Sequence, residues 1–573
     1  MGEACTLTSA NDPPHAKAAS NMNRKNLDVL RGTLSPVEND LVDHLLRGSV
    51  DRRGFLRHGS MLGLSLPLLG SIATGAGLMA TPRAARAAGK PGGTIRVALI
   101  VPAGAIDPVT IADNGGLELL QSVGDYLCRT GPDFVLEPRL ATNWTPDATG
   151  AVWTFKLREG VKFHNGTAMT AADVVATVDR LADPKNASNA LSAFKGVLSK
   201  GGAQKVDDLT VAFHLDAPNG NFPYVLSSDN YNCIILPAAY AGDFEKNFVG
   251  TGPFKFESYT PKVGAAFVRN DAYWGGRPAP DRVEYTFYPD IQPMILALQG
   301  GQVDVIEQVV VSGGQAILND PNVTIIRAKS SGHEQVHMRC DTGPFADKRV
   351  RQALALALDR EKLVKGLFKG YASVGNDSPF APAFPSTDTA IAQRKQDLRK
   401  AKELLAAAGV PKGFKVTLTT EHYIEIPDYA VLVQNAARAI GIDITLNVES
   451  QDAYYGKATY GQSDWLDSTM GITDYGNRGV PNVTLSAPLL SDGTWNSAHF
   501  KNKEYDGLVG SYVKALDLGG QKAAAGKIQT LLLDETPLLF GYFYDFLVVT
   551  RKGVEGIPAI PNRLTLEKAT LPA

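Results

Sequence analysis

The residues that could carry out chemistry most directly form the segment His333-Glu334-Gln335-Val336-His337. Its H-E-x-x-H spacing is that of zinc hydrolases, in which a helix brings both histidines onto one face around the metal and the glutamate acts as base. The motif therefore raises the alternative of a secreted zinc hydrolase that uses His333, Glu334 and His337.

The residues around this motif predict a strand, whereas zinc binding needs a helix. Val336, Met338 and Cys340 alternate with polar residues, and a turn-forming Asp-Thr-Gly-Pro sequence follows at 341–344. On an extended chain the two histidines lie too far apart to share one metal ion. The sequence contains no nucleophile elbow, Walker loop or dinucleotide fingerprint. We therefore expect no enzyme, no metal and no cofactor.

Length, charge and cysteine spacing limit the possible domain number, partners and redox chemistry of the chain. Its 573 residues exceed what one hydrophobic core usually organises, so two or more lobes are expected. The 57 Lys and Arg nearly balance 59 Asp and Glu, which argues against a nucleic-acid partner. Cys5, Cys128, Cys233 and Cys340 are too widely spaced for a C-x-x-C motif, and we predict no disulfide.

Residues 51–88 predict a twin-arginine signal peptide. Arg52 and Arg53 stand just before a Gly-rich apolar run at 61–80, and Ala85-Arg86-Ala87 fits a signal-peptidase site. Cleavage near Ala87 is expected, with the twin-arginine machinery as a partner before it and the periplasm as destination. The alternative is an uncleaved membrane anchor, which the glycines, serines and prolines of the run disfavour.

Residues 1–50 form an extension ahead of the signal. Ser35-Pro36-Val37-Glu38 is a capping box with proline at the first helical position. The apolar residues that follow on one face are Val37, Leu41, Val42, Leu45 and Leu46. A short amphipathic helix is therefore predicted. Three interpretations stay open: a chaperone-binding segment, a true start at Met22, or an incidental extension.

Beyond residue 89, strand and helix patterns alternate. Alternation predicts strands at 92–99 and 152–157, and an Asp-, Gly- and Asn-rich loop is predicted at 103–116. Helical spacing predicts helices at 347–368 and 397–408. A strand at 414–420, a helix at 427–440 and a strand at 442–448 have the βαβ rhythm of a parallel sheet, which indicates an α/β protein.

Several motifs in a fixed order carry a family resemblance. They are G-G-T-I-R-V-A at 92–98 with Asp107-Pro108, E-P-R-L-A-T-N-W at 137–144, T-F-K-L-R-E-G-V-K-F-H-N-G-T at 154–167 with T-A-A-D-V-V at 170–175, G-T-G-P-F-K at 250–255, R-N-D-A-Y-W at 269–274, and R-V-R-Q-A-L at 349–354 followed by Asp359-Arg360. In this order they resemble the family-5 solute-binding proteins of bacterial ABC importers, which include the dipeptide and oligopeptide receptors. The resemblance runs over nearly the whole chain after the signal.

The resemblance implies a two-lobed periplasmic-binding-protein fold of type II, similar to cluster C, with an extra subdomain in lobe I. Lobe I would span 89–332, with the inserted subdomain at about 141–270. Lobe II would span 333–541, and 542–573 would return to lobe I. The ligand would be enclosed between the lobes by hinge closure.

The resemblance also suggests ligand contacts. Asp474 matches the family's A-D-Y segment, in which the aspartate pairs with the free amine of a peptide, and Tyr475 follows it. The tryptophan usual before that aspartate is replaced by Ile472. Asp113, Asn114, Gly115 and Tyr231 fall where lobe I of the family faces the cleft.

The function implied is that of a monomeric periplasmic receptor. It would capture a small-molecule or peptide ligand and deliver it to ABC permease membrane subunits. A peptide or peptide-like compound is the expected ligand, and a metal chelate, an opine or a sugar on the same fold is the alternative.

Overall fold

The computed structural model describes residues 36–46 and 90–572, except 243–245 and 247–248, together with the single residues 31, 34, 55 and 246. The predicted signal at 51–88 lies outside the described residues apart from Phe55. The chain divides into two compact units, Met1–Ala88 and Gly89–Ala573. Among the described residues, no helix has the length and apolar content needed to cross a membrane.

The first unit contains the predicted short helix, α1 at Pro36–Leu46. Leu41, Val42 and Leu45 are buried, whereas Leu46 is 46% exposed. Leu46, the last residue of the helix, thus belongs to the predicted apolar face without being buried.

Strands of the second unit are, in chain order, β1 Thr94–Ile100, β2 Cys128–Thr130, β3 Leu136–Pro138, β4 Ala141–Pro146, β5 Val152–Leu157, β6 Ala203–Asp207, β7 Thr210–His214, β8 Phe254–Thr260, β9 Gly264–Arg269, β10 Arg282–Tyr288, β11 Val305–Ile306, β12 Val323–Ala328, β13 His333–Met338, β14 Ala372–Val374, β15 Lys415–Glu421, β16 Asp443–Glu449, β17 Met470–Tyr475, β18 Leu538–Phe540, β19 Tyr542–Tyr544 and β20 Phe546–Arg551.

Helices of this unit are α2 Asn114–Val123, α3 Ala171–Ala182, α4 Leu191–Phe194, α5 Phe222–Val225, α6 Ile291–Gln299, α7 Val311–Leu318, α8 Lys348–Ala357, α9 Arg360–Phe368, α10 Leu398–Ala407, α11 Ile426–Arg438, α12 Gln451–Tyr455, α13 Asp464–Asp467, α14 Asn482–Ser486, α15 Lys503–Lys514 and α16 Leu518–Glu535. Two 3₁₀ turns lie at Pro184–Asn186 and Pro344–Ala346.

Two large mixed sheets organise the second unit. One has seven strands in the order β12-β20-β11-β1-β10-β9-β8, and the other has five in the order β16-β15-β17-β13-β18. The parallel pairing of β15 with β16, connected through α11, confirms the predicted βαβ unit. A separate four-stranded sheet, β4-β5-β7-β6, lies within the predicted insertion, whereas β8 and β9 of that range join the seven-stranded sheet.

The chain passes from the seven-stranded to the five-stranded sheet between Ala328 and His333. It passes back between Phe540 and Phe546, through β19 of a small two-stranded sheet and Asp545. Asp545 is buried and forms ion pairs with Arg327 at the end of β12 and with Lys329 of the first passage. These ion pairs connect the two stretches of chain where they run between the sheets. The lobe limits 89–332, 333–541 and 542–573 stay a prediction.

Two predicted elements are wrong. The predicted loop at 103–116 ends early, because Asp113 accepts a hydrogen bond from the Gly116 backbone and starts α2 at Asn114. The predicted single helix at 347–368 is two helices, because Asp359 accepts a hydrogen bond from the Lys362 backbone and begins a new helix, α9. An aspartate inside an apolar helical pattern can thus mark the start of a second helix.

Candidate functional site

A cavity of about 360 Å³ lies between segments of the two large sheets. Strands β13 and β17 form part of its wall, and helix α2 and several loops complete it. The charged residues of the wall are Asp229, Glu334, Glu425, Asp474, Arg478, Asp545 and Arg563. This size falls within the range of small-molecule sites, about 300 to 1,000 Å³.

Two carboxylates of the wall come from neighbouring strands. Glu334 on β13 stands directly opposite Asp474 on β17 in the antiparallel register. Directly opposed side chains lie on one face, with Cβ atoms about 5 Å apart. Glu334 is 2% exposed, and its Oε2 has no hydrogen-bond partner among the described residues, whereas Asp474 is partly exposed.

A third carboxylate, Glu425, comes from the residue just before helix α11. Its side chain makes no capping hydrogen bond to the helix, although the position is one where side chains often cap. Glu425 is 7% exposed and lines the same cavity. Its side chain therefore faces the cavity, where it interacts with the Glu334 carboxyl.

The three carboxylates shift one another's protonation. Burial raises the pKa of Asp474 to about 7, with a further contribution from the charges of Glu421 and Glu425. Burial also raises the pKa of Glu425 to about 7. The pKa of Glu334 is raised well above its ordinary value by burial and then by the charges of Glu425 and Asp474. Near neutral pH the empty site therefore holds protons on some of these groups.

Arginines supply positive charge elsewhere in the wall. Arg563 is buried, its guanidinium lies 5.2 Å from the centre of the Tyr126 ring, and its Nε and Nη1 have no hydrogen-bond partner among the described residues. Arg478 acts on Asp229, whose pKa burial raises to about 6 while a hydrogen bond from Thr130 and the charge of Arg478 oppose the rise. The wall thus carries both charge signs.

Three of the predicted ligand contacts line this cavity: Asn114, Tyr231 and Asp474. Asn114 donates from Nδ2 to Gln308 Oε1 at 2.9 Å. Tyr231 lies in a turn, and its carbonyl oxygen accepts a hydrogen bond from the Tyr126 hydroxyl at 3.0 Å. The structure brings these residues together from separate parts of the chain.

The other three predicted contacts, Asp113, Gly115 and Tyr475, are not part of the cavity wall. The Asp113 side chain caps helix α2, and a Cβ on Gly115 would meet the carbonyl oxygen of Ile100 at 2.3 Å. The Tyr475 ring stacks on His333, 5.6 Å between centroids, on the face of the sheet opposite to Asp474. These residues support the wall from behind.

The H-E-x-x-H segment is strand β13, as predicted. Four residues of strand separate its histidines by about 13 Å. His333 Nδ1 contacts the Ser331 carbonyl oxygen at 2.8 Å, and His337 Nε2 contacts the Ser468 carbonyl oxygen at 3.2 Å. Burial lowers the pKa of both to about 4. Within the described part of the chain, no three His, Cys, Asp or Glu residues are grouped to hold a metal ion.

The cysteines of the described residues, Cys128, Cys233 and Cys340, are free thiols.

Sequence reasoning missed Glu334 as a cavity residue, together with Glu425, Arg478 and Arg563. Glu334 was considered only as the base of a metal site. A signal was available: in a strand, Glu334 shares a face with Val336 and Met338, so a glutamate at that position is buried with them. No local pattern distinguishes Glu425 or the arginines from ordinary loop residues.

Comparison with known proteins agrees with this architecture. The family model described as bacterial extracellular solute-binding proteins, family 5 middle, matches residues 135–497, more than half of the chain. The heme-binding protein A of Haemophilus influenzae is 30% identical over 405 residues, 65% of this chain and 73% of that protein. The dipeptide-binding protein DppE of Bacillus subtilis is 26% identical over 498 residues, 79% of this chain and 87% of that protein.

Solved structures of similar fold cover most of the chain. HbpA2 from Haemophilus parasuis has a TM-score of 0.74 at 22% identity over 84% of this chain and all of that one. The ABC transporter-associated periplasmic binding protein DppA from Helicobacter pylori, in complex with the peptide STSA, has a TM-score of 0.66 at 24% identity over 84% of this chain and 99% of that one. The fold is therefore the α/β, two-lobed fold of periplasmic binding proteins. The chain belongs to the bacterial extracellular solute-binding proteins of family 5, the substrate-binding proteins of ABC importers.

Proposed function

We propose that this chain captures a small peptide or peptide-like solute with a free amine and delivers it unchanged to the membrane subunits of an ABC permease. The carrying observation is the charge of the cavity wall: Asp474 and its neighbouring carboxylates face the same space as Arg478 and Arg563. A zwitterionic ligand would place its ammonium on the carboxylates and its carboxylate on the guanidinium groups. The cavity volume suits a ligand of a few residues.

Asp474 is the proposed partner of the ammonium. An ammonium that enters a closed cavity loses its hydration, and a charge-assisted hydrogen bond to a carboxylate restores that lost interaction. Asn114 and Tyr231 would bind polar groups of the ligand, directly or through water. Asp113, Gly115 and Tyr475 would act on the ligand only by positioning helix α2 and strand β17.

An opine, which also carries amine and carboxylate groups, would meet the same charges, so it is the alternative that the wall supports best. The relatives bear different ligand names, heme and dipeptide among them. A thermal-shift screen for the ligand should therefore include hemin beside peptides, opines, sugars and metal chelates. Binding of hemin, and of no peptide, would contradict the peptide proposal.

Calorimetric titration of the chain without 1–88 with Ala-Ala tests the role of Asp474. We expect Asp474→Asn to weaken binding by about 2 to 5 kcal/mol, because the ammonium then lacks its counter-charge in a desolvated site. Asp443→Asn is the matched control, since Asp443 is an exposed strand residue of the same sheet. Equal affinities for wild type and Asp474→Asn would contradict the assignment of Asp474 as the ammonium partner. Recovery of intact ligand after binding distinguishes a receptor from a hydrolase.

We also propose that the chain reaches the periplasm through the twin-arginine pathway and acts there as a monomer. The paired arginines Arg52 and Arg53, the apolar run and the Ala85-Arg86-Ala87 site support export. Cell fractionation of the Arg52→Lys, Arg53→Lys double variant tests export, and the variant should stay in the cytoplasm. Light scattering of the wild-type protein tests whether it is a monomer.

A further inference from the structure

Glu334 lies beside the proposed ammonium partner, and the groups that act on its carboxyl are the Glu425 and Asp474 carboxyls and the Tyr542 hydroxyl. It is directly opposed to Asp474 in the register, lines the cavity, is 2% exposed and leaves Oε2 without a hydrogen bond among the described residues. An unpaired polar atom at this depth costs free energy in the folded protein. Such a group is explained by a ligand that supplies the missing donor.

Glu425 brings a third carboxylate to the same end of the cavity from a different element. No described Lys, Arg or His is among the groups that shift the pKa of Asp474, Glu334 or Glu425. The surrounding titratable groups are Glu421, Asp428, Tyr423, Tyr429, Tyr542 and Tyr544. Glu421 already has hydrogen-bond donors within the protein, because it accepts from Gln451 at 2.6 Å and from Tyr455 at 2.5 Å.

One ammonium compensates only one of the three carboxylates. The other two must then share protons or meet a second positive charge, because a buried, unpaired carboxylate is strongly disfavoured. Arg478 acts on Asp229 and Arg563 packs against the Tyr126 ring, and neither is among the groups that most affect the pKa of Glu334, Glu425 or Asp474. The end of the cavity around Glu334 is therefore more acidic than a receptor for a simple dipeptide requires.

We propose that Glu334 and Glu425 form a second cation subsite beside Asp474, so that the ligand carries two positive charges at one end: an α-ammonium and an amine or guanidinium a few atoms away. A peptide whose first residue is basic has this chemistry. Tyr423, Tyr544 and Phe368 also line the cavity, and their rings offer apolar and cation–π contacts to the stem and head of a basic side chain. This inference rests on the proposed function and names the ligand class.

Calorimetric titrations with Arg-Ala, Lys-Ala and Ala-Ala at pH 7.5 test the proposal. We expect wild-type protein to bind Arg-Ala or Lys-Ala at least about tenfold more tightly than Ala-Ala, as one added buried charge pair would give. In Glu334→Gln that ratio should fall to about threefold or less while Ala-Ala still binds. Glu403→Gln, at an exposed helical position, is the matched control and should keep the wild-type ratio.

Repeating the titrations in phosphate and Tris buffers gives the number of protons released on binding. If Glu334 had only a structural role, that number would be the same for Arg-Ala and Ala-Ala. Arg-Ala should release more protons than Ala-Ala in wild-type protein. Equal affinities and equal proton release for Arg-Ala and Ala-Ala, with both ligands weakened by Asp474→Asn, would overturn this inference and leave the proposed function standing. Failure of all three peptides to bind would overturn the peptide proposal itself and this inference with it.

Discussion

Burial makes the carboxylates of the cavity unfavourable for stability at neutral pH. The folded-state pKa of Asp474, about 7, lies above the ordinary value of 3.8, and that of Glu425 is raised in the same direction. A carboxylate with a raised pKa binds protons more strongly in the folded protein than in the unfolded chain. Its contribution to stability is therefore complete below about pH 4 and is lost as pH rises towards 7.

The pH dependence of unfolding follows from this sign. We expect the free energy of unfolding of the empty protein, relative to that of Asp474→Asn, to fall by on the order of 2 kcal/mol between pH 4 and pH 8. Urea unfolding at several pH values, with both proteins free of ligand, measures it. Parallel curves for wild type and Asp474→Asn would contradict the raised pKa.

At the scale of the element, the passage between the sheets leaves no room for a side chain at Gly332. A Cβ on Gly332 would meet Cζ, Cε2 and the hydroxyl oxygen of Tyr544 at 2.4 to 2.5 Å. The Tyr544 ring lines the cavity, and the backbone N–H of Tyr544 donates to the Gly332 carbonyl oxygen at 2.9 Å. Space at Gly332 therefore sets the position of one cavity wall.

Gly332→Ala should displace the Tyr544 ring. We expect a loss of about 1 to 3 kcal/mol in the free energy of unfolding, as for overpacked sites, together with weaker peptide binding. Gly507→Ala on helix α15 is the control, because its Cβ meets nothing within 4 Å and alanine favours a helix. Thermal unfolding and calorimetry measure both effects, and an unchanged Gly332→Ala protein would contradict the close approach.

The elements themselves could largely be predicted from the sequence. The strand at 152–157 matches β5, and α10 begins after Asp397, whose side chain accepts from the Lys400 backbone. Periodicity reports burial of one face, and so it finds such elements. It does not report which carboxylates meet: Glu334 and Asp474 are 140 positions apart, and only the β13–β17 register makes them neighbours.

At the scale of the whole molecule, contacts beyond the cavity join the segments that precede β8 to the helices of the C-terminal part. Asn221, which is buried, donates from Nδ2 to Asn482 Oδ1 at 2.9 Å and accepts from Gln521 Nε2 at 2.9 Å. The neighbouring Gly220 N–H donates to the Val513 carbonyl oxygen at 2.7 Å. Under hinge closure around a ligand, such contacts stabilise the closed form and not the open one.

Removing this contact should therefore speed ligand release. We expect Asn221→Ala to raise the dissociation rate of a bound peptide about fivefold to a hundredfold, since two hydrogen bonds of about 0.5 to 1.5 kcal/mol each are lost from the closed form. Stopped-flow dissociation measures the rate, and small-angle scattering should show that the ligand-saturated variant is less compact than ligand-saturated wild type. Asn435→Ala, at an exposed helical position, is the control. A lower melting temperature with an unchanged release rate would mean that Asn221 stabilises the fold without holding the closed form, because a contact that is equal in both forms cannot shift the balance between them.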